Sequence, residues 1–254
     1  MKGIVVAEVR KLMTVVTTWV MTGIGLFLTL VTAALFTFMA EFTGSEFRGH
    51  DTDVAVAIDQ VGANSVIVLV VALLSMTTEF RHGTAGRTFQ VTPSRIAVLA
   101  AKMLAGGFYA VAFFVAGLVV VGGVLGTAGV LTSTGLSVGP QTMTALWHGA
   151  AGLVLTALLG VAIGALIRSQ VVALTVMLVW VFIVEQLISF AAPRAGQWLP
   201  FNALNALFVS EDARQSGPEG MMVLLDPMAG LVTFVGYVVV TAAAAILLLR
   251  TRDI

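Results

Sequence analysis

Long apolar blocks alternate with short polar stretches along this chain. The blocks run from about 17–40, 61–77, 95–125, 143–167, 171–192 and 228–249. Most are near the roughly 20 residues that a helix needs to cross about 30 Å of hydrocarbon. The period-two alternation of a membrane β-barrel is absent. A span in lipid must satisfy its own backbone hydrogen bonds, so each block predicts a helix. The pattern predicts an all-α membrane protein, one domain over 1–254 with six transmembrane helices. The second block is short and can borrow Val54 to Ile58 as an extra turn; the third is long enough to tilt.

The polar stretches refine this picture. Residues 1–16 mix Val5, Val6, Val9 and Leu12 with Glu8, Arg10 and Lys11. They form either an amphipathic helix in the membrane interface or an extension of the first span. The first block exceeds the ~7–15 residues of a signal-peptide apolar region, so it is read as a retained span. With the N-terminus inside, the cytoplasmic positions hold Lys2, Arg10, Lys11, Arg81, Arg87, Arg95, Lys102, Arg168, Arg250 and Arg252. Only Arg48, Arg194 and Arg214 of the 13 basic residues fall outside. Basic residues near span ends set topology, which predicts a multi-pass protein of the cytoplasmic (inner) membrane with both termini cytoplasmic.

Composition sharpens the class. Only 10% of residues are charged and mean hydropathy is +1.04, against about 25% charged in soluble domains. Net charge is zero, without the basic signature of nucleic-acid binding. There is no cysteine, which excludes disulfides, thiolate metal sites and cysteine nucleophiles.

Candidate chemistry is sparse. Glu185, with Gln186 beside it, is the acidic residue deepest in a block. An ionisable group there is costly. It either lines a transport path or partner contact, or is hydrogen-bonded between helices near the outer end of its span. His50 with Asp51 and Asp53 is a weak candidate for an external divalent ion; His82 and His148 lie on separate segments, and no metal site is assigned. The pairs Gly149/Gly152 and Gly160/Gly164 allow close helix approach, within the chain or in a dimer. Trp198, Phe201, Pro193 and Pro200 suggest a hairpin dipping into the outer interface. No nucleophile–base pair and no G-x-x-x-x-G-K-[ST] phosphate loop can be placed. The chain is expected to be a non-enzyme without its own ATPase site.

The connection between the second and third blocks is the most informative segment. Gly83 and Gly86 permit sharp backbone changes, and Thr84 can cap a short helix over 84–91 that Pro93 ends. Its residues Glu79-Phe80-Arg81, Gly83-Thr84, Thr92-Pro93 and Arg95, followed by Ala101-Lys102, resemble a pattern found after the second span of ABC-2 type transporter permeases. The likeness is to the short six-span permeases of actinobacteria. Ala7-Glu8-Val-Arg-Lys11 is similar to the start that precedes that family's first span, and Trp198-Leu-Pro-Phe-Asn202 to its external re-entrant region.

The resemblance implies an ABC-2 (type V) exporter-like permease with an N-terminal amphipathic interfacial helix containing Glu8 and Lys11. Two permease chains, a homodimer on this reading, would sit on two copies of a separate ATP-binding subunit that holds ATP and Mg, with no cofactor in this chain. Glu79, Phe80, Arg81, Gly83, Thr84, Arg87, Pro93 and Arg95 would form or anchor the coupling helix that docks on the ATPase. Spans 1, 2 and 5 would line the substrate path, with Glu185 and Gln186 as path candidates. The substrate would be an amphipathic drug, antibiotic, peptide or lipid. The rival readings are a transporter or channel not driven by ATP, and a structural membrane protein without transport activity. Against the bare positive-inside rule, Arg95 and Lys102 need no docking role.

Overall fold

The computed structural model describes residues 2–39, 49–83, 94–133, 135–209 and 224–251, and all regular structure among them is helical. Helix α1 spans Lys2–Thr14 and α2 Val16–Met39. Next come α3, Asp51–Ala63; α4, Ser65–Arg81; α5, Arg95–Thr132; and α6, Pro140–Leu166. Helix α7 covers Gln170–Ala191, interrupted by a π-helical turn at Trp180–Val184. Two short helices follow, α8 at Pro193–Gly196 and α9 at Pro200–Asn205, before α10 at Pro227–Thr251. Six segments are long and apolar enough to cross a membrane: Val16–Phe38, Asp51–Arg81, Arg95–Thr132, Pro140–Leu166, Gln170–Ala191 and Pro227–Leu249. This is a multi-pass, all-helical membrane protein.

Two spans are longer than the apolar pattern predicts, for local reasons. The second starts at Asp51, well before Val61, because Val54, Ala55, Ala57 and Ile58 are buried against the bundle and take Asp59 in with them. Asn64 divides it into α3 and α4. The Asn64 amide donates to the Gln60 carbonyl at 2.9 Å and to Thr29 Oγ1 of α2 at 3.0 Å, linking the break to a neighbouring span. The third span runs on to Thr132 because its uncharged tail contains no stop. It ends at Ser133, in the left-handed region with φ 55°. At the other end of α5 the Ser94 hydroxyl caps the helix by accepting from the Ala97 amide at 3.3 Å.

Helix α6 is the centre of the bundle. In the most apolar stretch of each span, 67% of residues are buried in α6 and 61% in α3–α4, but only 22% in α2, 22% in α7 and 17% in α10. The last three therefore turn broad apolar faces outward, as lipid or a partner chain requires. The contact between α4 and α6 depends on small residues. A Cβ on Gly160 would lie 2.8 Å from the Leu69 carbonyl oxygen, and one on Gly164 2.9 Å from that of Leu73. The Gly160/Gly164 pair thus packs within the chain, as does Gly152, where Phe208 fills the space a side chain would need.

Gly160→Ala or Gly164→Ala is therefore expected to destabilise the purified protein by about 1–3 kcal/mol, the cost of overpacking a close contact. Gly122→Ala on α5, with open space around it, is expected to be neutral or slightly stabilising. Thermal unfolding in detergent compares the three.

Candidate functional site

Two positive and two negative side chains from three elements meet at one end of the bundle. Lys102 points inward from α5 and is 2% exposed. Its ammonium donates to Glu8 Oε2 of α1 at 2.7 Å, to Glu79 Oε1 of α4 at 2.8 Å and to the Ser75 carbonyl at 3.2 Å. Those bonds use all three of its donors. Lys11 bridges the same carboxylates from the outside, 2.8 Å from Glu8 Oε1 and 2.8 Å from Glu79 Oε1. Glu8 and Lys11 lie one helical turn apart, so α1 presents both to the network. Burial by itself lowers the Lys11 pKa, but its hydrogen bonds and attraction to Glu79 and Glu8 outweigh this and hold it above the ordinary lysine value.

Phe80, Arg81 and Arg95 are also held within the chain. Arg168 lies over the Phe80 ring, 5.6 Å from its centroid, in cation–π geometry. Arg81 Nη1 donates to Gln170 Oε1 at 3.3 Å. Gly83 adopts φ +64° just past the end of α4, the left-handed conformation that favours glycine after a helix. Arg95 Nη1 donates to the Leu249 carbonyl at 2.8 Å and so ties the start of α5 to the end of α10. Both flanks of the connection are thus anchored to spans. Thr84, Arg87 and Pro93, with the short helix expected over 84–91, lie outside the described residues.

Beside the charge network is a cavity of about 360 Å³. Glu8, Lys11 and Glu79 form its polar wall, and Leu12, Val15, Val71 and Leu74 an apolar one. It opens where α1 turns into α2, against α4 and the start of α7 at Gln170. Helix α1, the first turn of α2, α4 and Gln170 thus line one amphipathic space, although α4 is otherwise a core helix.

Glu185 is 1% exposed and fully engaged. The π turn makes the Glu185 amide donate to the Trp180 carbonyl, and the same spacing lets Trp180 Nε1 donate to Glu185 Oε1 at 2.9 Å. The carboxylate also accepts from the amides of Phe201 and Asn202, each at 3.0 Å, in the first turn of α9. An anion there answers the unpaired donors and the positive end of the helix. Asn202 completes the joint by donating to Ser189 Oγ at 2.7 Å and to the Gly196 carbonyl at 2.9 Å. Glu185 thus fixes the α8–α9 hairpin to α7, while Gln186 points outward and is exposed. Asp51 has a comparable task at the same end of the bundle. Its carboxylate accepts from the amides of Gly139, Gln141 and Thr142 at 2.8–2.9 Å and from the Thr142 hydroxyl, capping α6. Among the described residues no group of three His, Asp or Glu side chains is placed to hold a metal.

The sequence singled out Glu8, Lys11 and Glu79 but not the residue that joins them. Lys102 reads as one more positive-inside charge, yet it stands two turns beyond Arg95 in an otherwise apolar run. That depth was the available sign that it needs a partner.

No family model matches this chain, and no characterised protein matches it at a significant level.

Replacing Lys102 by Met leaves two carboxylates facing each other with only the half-exposed Lys11 between them. It is expected to cost about 3–5 kcal/mol, as for a broken buried ion pair. Lys11→Met, on the outer side, is expected to cost about 1 kcal/mol or less. Unfolding of the two variants in detergent measures the difference.

Proposed function

We propose that this chain is the membrane-spanning permease subunit of an ATP-driven ABC exporter of the ABC-2 type. It works as a pair of permeases on two copies of a separate ATP-binding subunit. The observation that supports this best is the charge network: Glu8, Glu79 and Lys102 bind the N-terminal helix, the end of the second span and the start of the third into one unit. A push on the connection between spans 2 and 3 then reaches α1 and the wall of the 360 Å³ cavity together. Nucleotide-driven closure of the partner ATPase has to favour one arrangement of that unit over the other, since only a difference in binding free energy shifts such an equilibrium.

Other features fit this reading. The cavity has a charged wall and an apolar wall, suited to an amphipathic substrate such as a drug, antibiotic, peptide or lipid. The uncovered apolar faces of α2 and α7 suit a second permease chain. Helix α1, joined to α5 by buried charge and carrying exposed Val6 and Met13, suits an interfacial helix at the cytoplasmic surface. On this reading Glu79, Phe80, Arg81 and Arg95 are anchors for the coupling segment, and the contact with the ATPase falls to its middle, around Thr84 and Arg87.

Purification from native membranes in mild detergent, with mass spectrometry of what accompanies the chain, tests this. Co-recovery of a soluble subunit carrying a phosphate loop is expected. Arg87→Glu is expected to lower that recovery about tenfold or more, equivalent to 1.4 kcal/mol, with the permease itself still folded. Repeated recovery of the chain alone, even after crosslinking, contradicts the proposal and favours a transporter or channel that does not use ATP.

A further inference from the structure

Three of the carboxylates placed in the bundle besides Asp59 have their charge answered by the chain: Glu8 by lysines, Asp51 by the start of α6 and Glu185 by the start of α9. Asp59 differs. It is 7% exposed on α3, and its Oδ1 has no hydrogen-bond partner. Among the described residues the only other buried side-chain polar atom in that position is the Thr37 hydroxyl, which bears no charge. Asp59 lines a cavity of about 220 Å³ at the end of the bundle opposite the Lys102 network. Gln141, Thr144 and His148 of α6 line the same space, together with Leu207 and Pro227. Among the described residues no lysine or arginine lines it. The volume is several times the ~30 Å³ of one water, and a buried carboxylate without a counter-charge costs several kcal/mol.

We propose that this cavity is a binding site for a small monovalent cation, of alkali-ion to methylammonium size, with Asp59 as its anionic group. The walls supply what such a ligand needs. Oxygen acceptors are present in the Gln141 amide and the Thr144 hydroxyl, whose own proton is given to the Pro140 carbonyl at 2.9 Å. The His148 ring forms a further side, packed against Trp147 with ring centroids 4.6 Å apart. With one carboxylate and no second acid among the described residues of its lining, the site suits a single positive charge better than a divalent ion. It lies away from the amphipathic cavity of the proposed function and stands independently of that reading.

Trp147 provides a built-in reporter. Full-length protein in detergent is titrated with sodium, ammonium or methylammonium chloride while N-methylglucamine chloride holds the ionic strength constant, and tryptophan fluorescence is followed. A saturable change with at least one cation is expected, weakened about tenfold or more in Asp59→Asn. It should be reduced more mildly in Thr144→Val. In Trp147→Phe the signal should vanish, while the cation still raises the unfolding temperature. Response to sodium and ammonium alike assigns an inorganic site; preference for methylammonium assigns an organic amine. Should Asp59→Asn fail to fold, the Thr144→Val titration decides. Absence of any saturable response in the wild type, or an unchanged one in a folded Asp59→Asn or in its substitute Thr144→Val, overturns the proposal and leaves a water-filled cavity.

Discussion

An ammonium group removed from water inside an apolar bundle has to be matched completely or not be there at all. The Lys102 ammonium is matched by Glu8, Glu79 and the Ser75 carbonyl, drawn from α1 and α4. Because breaking such a pair costs more than an exposed one ever contributes, these helix ends have little freedom to separate. Lys11 adds a second bridge over the same carboxylates, and with it the network holds a full set of alternating charges. The position of α1, the shape of the cavity beside it and the anchoring of the connection between spans 2 and 3 all follow from this arrangement.

The same economy governs the far end of the bundle. Helix starts expose amides that need acceptors, and Asp51 and Glu185 supply them from neighbouring elements. Asp51 joins α3 to α6, and Glu185 joins α7 to α9. Between these polar joints the helices pack by small residues, most closely where Gly160 and Gly164 meet the backbone of α4. A membrane bundle without a hydrophobic drive between its helices depends on such close contacts and hydrogen bonds. Among the described residues Asp59 is the exception, a buried carboxylate with an oxygen that no donor reaches.

Much of the fold was legible in the sequence because lipid imposes a coarse and strong rule. Blocks of about twenty apolar residues had to be helices, and the six of them survive in the structure. What was not legible depended on partners distant along the chain. Lys102 looked like a topology signal because Glu8 lies 94 positions away. The pattern allowed Val54 to Ile58 as an extra turn of the second span, but nothing local reveals that Asp51 caps α6 or that Asp59 is buried. Glu185 was recognised as costly, but its acceptor role required knowing that Phe201 and Asn202 begin a helix beside it. Hydrophobic pattern marks spans; it does not pair the few polar groups inside them.

The joining of α1 to α4 and α5 through Lys102 can be measured directly. The chain has no cysteine, so spin labels can be attached at Val6 on α1 and Val119 on α5, both exposed, without a background. Pulsed dipolar spectroscopy is predicted to give one narrow distance distribution in the parent protein. It should give a broad one in Lys102→Met protein that keeps its helical circular dichroism. Equal widths in the two would mean that α1 is held in place by something other than this buried charge, and would contradict the account.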